Sequence, residues 1–144
     1  MSAEHFEGLE RMYLAAPINE IYQPSISVNE GKSEIEITID RRFHHAAEAV
    51  HGSVYFKMLD DAAFFAAASL EPEVFLLTTS FTTYLTRPLS AGSMRALGRV
   101  VNRNRSQFIA EAVVYDARNR EIGRGNGVFV RSKNRLENLA AYTG

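Results

Sequence analysis

Two acidic residues, Asp60 and Asp61, stand side by side in the middle of the run VYFKMLDDAAFFAAA, which spans residues 54–68. Removing an ionised carboxylate from water costs on the order of several kcal/mol even after relaxation, so carboxylates in an apolar run need a reason. One reason is chemistry: a carboxylate in a desolvated site acts as a general base on water or as a nucleophile. The other is structural: Lys57 lies three and four residues before the pair and makes a polar stripe with Asp60 or Asp61. Both acids cannot share one direction, since neighbouring helical residues are turned by about 100°.

His51-Gly52-Ser53 immediately precedes the same run. The first turn of a helix carries N–H groups without intrahelical acceptors, and the positive end of the helix dipole adds to their field, which suits a developing oxyanion. Gly52 permits close approach of a carbonyl to the backbone, and His51 or Ser53 can cap the helix. His44, His45 and His51 do not form a metal-binding pattern: there is no HExxH and no pair of histidines on one helical face. Arg103 and Arg105, in VNRNRS, read either as a solvated turn or as a grip on ligand phosphates.

The elements that must position these residues follow from periodicity. Residues 4–16 place Phe6, Leu9, Met12 and Tyr13 on one helical face, and Pro17 ends the helix. Residues 22–30 and 34–40 alternate as two strands joined by a turn at 29–32. Residues 54–68 are apolar on nearly all sides, as expected of a buried helix. Four strand-length segments follow at 74–86, 94–103, 107–116 and 121–131, separated by turn residues, and a surface tail or short helix begins at 134. Consecutive hairpins imply an α+β fold in which a curved antiparallel sheet wraps one long buried helix. Gly123, Gly125 and Gly127 alternate along the last strand, where that helix is expected to approach closely. Apolar residues on both faces of 107–116 imply a surface completed by a partner.

With 144 residues the chain is one domain: an N-terminal helix (1–17), a core (18–131) and a tail (132–144). Hydrophobic residues make up 46% and charged residues 23%, which excludes disorder, and a net charge of -1 does not supply the field that nucleic-acid binding requires. No cysteine is present, so disulfides, thiolate nucleophiles and cysteine-ligated metals are excluded, and no cofactor is expected. Neither a signal sequence nor a membrane-spanning run is evident, which makes the cytoplasm the expected compartment. GxSxG, P-loop and kinase signatures are absent, and Gly123 to Gly127 lie in a strand and not at a phosphate-binding turn.

A glycine-containing turn after histidine, opening a buried helix with an acid nine residues on, resembles the hotdog fold, and specifically the acyl-CoA thioesterases similar to the phenylacetate-pathway and 4-hydroxybenzoyl-CoA enzymes. His51-Gly52-Ser53 takes the place of the family's HGG, and Asp60 the place of its catalytic acid. TTSFTTYLTRP is similar to the family's hydroxyl-rich strand, with Thr78 where a Ser or Thr assists water. The turn at Asn104-Arg105 resembles one often near bound CoA. Three positions depart: His45 replaces the Asn six before the histidine, Glu48 the Gly three before it, and Ser53 the second Gly. The resemblance implies hydrolysis of an acyl-CoA thioester, with Asp60, Gly52, His45, His51 and Thr78 in the catalytic set and Ser53, Asp61, Arg103 and Arg105 at the substrate. It also implies a homodimer, or a dimer of dimers, in which Asp60 of one subunit faces Gly52 and His45 of the other. An acyl-CoA sensor without turnover and a structural dimerisation domain are the alternatives.

Overall fold

The computed structural model describes residues 2–144. Helix α1 (Ala3–Ala15) and the single turn α2 (Asn19–Tyr22) lead into strands β1 (Ser25–Asn29) and β2 (Lys32–Thr38). A 3-10 turn at Arg41–Phe43 precedes the central helix α3 (Gly52–Ala68), and β3 (Val74–Leu85), β4 (Ser93–Arg103), β5 (Phe108–Tyr115) and β6 (Glu121–Arg135) follow. A second 3-10 turn, Leu136–Asn138, and the short α4 (Ala140–Thr143) close the chain.

All six strands form one antiparallel sheet in the order β1-β2-β4-β5-β6-β3. The α+β arrangement expected from periodicity is present, a sheet packed around one long helix, but not as a run of consecutive hairpins. After α3 the chain crosses to the far edge, so β3 pairs with β6 and not with β4. Strand lengths and turns are local, whereas this choice of edge is decided by the helix that fills the sheet's concave side.

Val54, Tyr55, Met58, Leu59, Ala62, Ala63, Ala66 and Ala67 of α3 are buried. The alanines let the backbone come close, and the closest approach is at Gly98 of β4, where an added Cβ would overlap the carbonyl of Ala62. That carbonyl also accepts from Ser33 Oγ at 2.6 Å. The glycines expected to meet the helix, Gly125 and Gly127, are covered instead by the Phe81 ring of β3; of the three only Gly123 lies near it, where an added Cβ would stand 3.4 Å from Tyr55 Cδ2. The physical reason is register: β3 lies alongside β6, so an inward aromatic on β3 fills the space the glycines leave.

Candidate active site

A single stripe of α3 escapes the sheet. Ser53, Phe56, Lys57, Asp60, Asp61, Phe64 and Phe65 recur at three- and four-residue spacing and face α1, α2 and β3 across a groove of about 570 Å³. Met12, Ile18 and Tyr22 form one wall, and Phe75, Leu77 and Thr78 the other. The lining is apolar except for Ser53 and for Asp60, Asp61 and their partners, the composition of a ligand cleft with a few placed polar groups.

The two carboxylates differ in what they touch. Asp60 Oδ1 accepts a 2.9 Å hydrogen bond from Thr78 Oγ1. Burial in the groove wall pushes the Asp60 carboxyl up to about 6, the Thr78 bond pulls it back, and the charge of Asp61 adds to the rise. Asp61 Oδ2 instead pairs with Lys57 Nζ at 2.6 Å and accepts from Tyr13 Oη at 2.7 Å. Lys57 also donates to Asn19 Oδ1 at 2.8 Å and to Tyr13 Oη at 3.1 Å. The Tyr13 phenol is held strongly in its neutral form, first by burial and then by Asp61.

Thr78 reaches Asp60 because β3 is irregular. Thr78 pairs with Phe129 and Ser80 with Val128, so Thr79 is an extra residue, and its hydroxyl donates across the strand to Val128 O at 3.1 Å. The bulge switches the alternation, which allows both Thr78 and Phe81 to face the helix side. The sequence carries no sign of it beyond a run of threonines, so Thr79 and the bulge are invisible without the structure.

At the other end of the stripe, His51 is the N-cap of α3. Its Nδ1 accepts from Ser53 N–H at 3.0 Å and meets Ser53 Oγ at 2.8 Å, and His51 O accepts from Val54 N–H at 3.0 Å. Gly52 N–H, between them, has no protein acceptor among the described residues. It starts a helix whose dipole points its positive end outward there. His45 lies in the preceding loop, exposed, with Nδ1 accepting from Ala47 N–H at 3.0 Å. Glu48 in that loop has φ of 64°, a left-handed conformation that glycine adopts without strain.

Arg103 ends β4 and Arg105 sits on the turn that follows, both exposed. Arg103, Phe108, Phe129 and Thr78 pair in one cross-strand row, which places Arg103 about 14 Å from Thr78 at three strand spacings. Arg131 Nη1 donates to Arg105 O at 2.9 Å and its Nε pairs with buried Glu71 at 2.6 Å. So the structure brings Asp60 to Thr78, and His51 to Gly52 and Ser53. It places Asp61 in the Lys57 network and leaves His45 and both arginines apart from Asp60. Among the described residues no three His, Asp or Glu side chains converge as metal ligands, and no helix is long and apolar enough to cross a membrane.

A model of the thioesterase superfamily matches residues 47–122, from the loop before α3 into β6. The chain belongs to the thioesterase superfamily. Its fold is shared with the E. coli PaaI protein from the phenylacetic acid degradation operon, at 15% identity, a TM-score of 0.83 and coverage of 93% of this chain and 97% of that one. A thioesterase from Haemophilus influenzae aligns at 16% identity and TM-score 0.76, covering 87% and 88%. A thioesterase family protein from Silicibacter pomeroyi aligns at 22% identity and TM-score 0.76, covering 85% and 96%. No curated protein matches. These superfamily neighbours share the hotdog architecture, the open antiparallel sheet with α3 packed in its concavity.

Proposed function

We propose that the chain hydrolyses acyl-CoA thioesters and that Asp60 performs the chemistry. The observation that carries this reading is the Asp60–Thr78 pair at the wall of an apolar groove: one carboxylate, held by a single neutral donor and raised toward neutrality by burial. As a base, Asp60 takes a proton from water while the water oxygen attacks the thioester carbon; as a nucleophile, it attacks that carbon itself and water releases the resulting anhydride. In both routes the carbonyl oxygen becomes an oxyanion, the C–S bond breaks, and CoA leaves as a thiolate that takes up a proton. Gly52 N–H supplies the oxyanion donor.

Asp60 and Gly52 are eight residues apart on one helix, hence about 12 Å at 1.5 Å per residue, too far to engage one thioester. A homodimer that sets Asp60 of one subunit against Gly52 and His45 of the other resolves this, and the long outer edge of β3, which pairs with no strand among the described residues, suits such pairing. The acyl group occupies the groove beside Phe56, Phe64 and Phe75, and the CoA phosphates the turn carrying Arg103 and Arg105. Incubation with a panel of acyl-CoAs, read by release of free thiol, tests the proposal: release abolished in Asp60→Asn supports it, and tight binding of every acyl-CoA without release would make the chain a sensor.

A further inference from the structure

Lys57 stands three residues before Asp60 and four before Asp61, so the helix puts its side chain within reach of both. An ion pair with Asp60 would tie down the carboxylate the chemistry needs. An ammonium has three N–H donors, and here all three are occupied: by Asp61 Oδ2, Asn19 Oδ1 and Tyr13 Oη. Two of those acceptors come from α1 and α2. The rings of Tyr13 and Tyr22 also lie 5.0 and 4.8 Å from Nζ, so two aromatic faces hold the cation on the side of the N-terminal segment.

We propose that α1 and α2 act as a positioning clamp: through Tyr13, Asn19 and Tyr22 they hold Lys57 on Asp61 and so keep Asp60 free of an ion pair, available to water or substrate. The proposal rests on the thioesterase reading for its purpose, but its physical content concerns Asp60 alone. The charged and titratable groups around Asp60 are Asp61 and Lys57 on α3, Tyr13 on α1 and Tyr22 on α2, while β3 brings only the Thr78 hydroxyl. Of these Lys57 is the one cation, so its placement decides whether Asp60 is paired. The clamp also explains why Asn19 is buried in a four-residue helix: its amide donates to Tyr13 O at 2.8 Å while its carbonyl oxygen takes Lys57.

The test follows Asp60 itself, by ¹³C NMR titration of aspartate-labelled protein, with the resonance assigned by its loss in Asp60→Asn. Replacing Tyr13→Phe with Asn19→Leu removes two acceptors of Lys57 and changes no formal charge. The Asp60 midpoint should then fall by about one unit, tenfold in the ionisation ratio, as Lys57 turns toward it. In a Lys57→Met background the same two substitutions should leave the midpoint unmoved. Equal falls in both backgrounds would mean that the segment merely excludes water, and no fall in either would mean that Lys57 never reaches Asp60; both overturn the clamp. Should the double variant not fold, Tyr22→Leu removes one aromatic face, and a smaller fall that vanishes with Lys57→Met is expected. The titration needs no turnover, so it decides for or against the clamp even in a chain without thioesterase activity, whereas the acid limb of kcat/KM follows the same shifts only if Asp60 is the catalytic group.

Discussion

Asp60 and Asp61 are adjacent carboxylates with opposite surroundings: Asp60 rests on the neutral Thr78 hydroxyl at 2.9 Å, and Asp61 on the Lys57 ammonium at 2.6 Å. The turn of about 100° between neighbouring helical residues sends one toward β3 and the other toward α1. Asp60→Asn is therefore expected to lower kcat about a hundredfold or more with acyl-CoA binding retained, because the amide keeps the shape but neither attacks a carbonyl nor takes a proton. Asp61→Asn is expected to cost less than about tenfold in kcat and about 2 kcal/mol in stability, since it removes the charge that compensates a largely buried lysine. Steady-state kinetics and urea denaturation of both variants check this.

Thr78→Val separates the hydroxyl from the packing. The Thr78 hydrogen bond favours the ionised form of Asp60, so its loss moves the Asp60 titration upward from about 6. Activity that requires ionised Asp60 rises with pH through that titration, and its acid limb should shift to higher pH in the variant. A kcat/KM profile between about pH 5 and 9, together with a loss of about tenfold at the plateau, is the expected outcome.

The central helix, its N-cap at His51 and the hairpins β1–β2, β4–β5 and β5–β6 are legible in the sequence because each rests on residues close along the chain: the nearly continuous apolar, alanine-rich run of residues 54–68, the alternation of Ile35 and Ile37, and the turn residues between the strands. The position of β3 was not, because it depends on a pairing with β6 that spans some fifty residues. The helix α2 escaped notice because four residues after Pro17 are too few for any period to register. In the site, the spacing of Lys57 to Asp60 and Asp61 left the partner ambiguous; Tyr13 and Asn19 decide it, and nothing local in the sequence links them to Lys57.

Gly98→Ala probes the contact that seats the helix. The new Cβ would overlap the backbone carbonyl of Ala62, and backbone has no rotamer by which to yield. A loss of about 3 kcal/mol or non-folding is expected, measured by thermal and urea denaturation. Gly127→Ala meets the Phe81 ring and the Ser80 carbonyl instead, so its damage should concentrate on β3 and on the Asp60–Thr78 geometry.

The shared-site dimer makes a quantitative prediction about mixed subunits. Asp60→Asn removes the carboxylate, and Gly52→Val blocks approach to the helix start, where an added Cβ meets only Cδ1 of the exposed Leu85 side chain. Each homodimer should be inactive. Refolding the two together in equal amounts gives heterodimers, about half of the total, in which one site carries both substitutions and the other carries neither. Recovery of about a quarter of wild-type activity is expected, and light scattering should show the dimer. A stable monomer, or no recovery on mixing, removes the shared site.

The last prediction concerns what Asp60 costs the fold. Its carboxyl titrates at about 6 in the folded chain against 3.8 for the ordinary group. Below that lower value it is protonated in both folded and unfolded states, and nothing is at stake. As pH rises between the two values the unfolded chain gives up the proton while the folded chain retains it, so stability falls; above the folded value the penalty is complete and constant. An amide in its place does not titrate and carries no such penalty. Asp60→Asn should therefore be more stable than wild type at pH 8, by about 1 kcal/mol once screening of the partly exposed carboxylate is allowed for. That advantage should shrink as pH falls through the window and stay flat below it. Urea midpoints of both proteins at intervals across this range read the difference directly, and a constant offset would mean that the groove wall does not desolvate Asp60. A variant that gains stability while losing turnover is the signature of a carboxylate kept in an apolar wall for chemistry and not for packing.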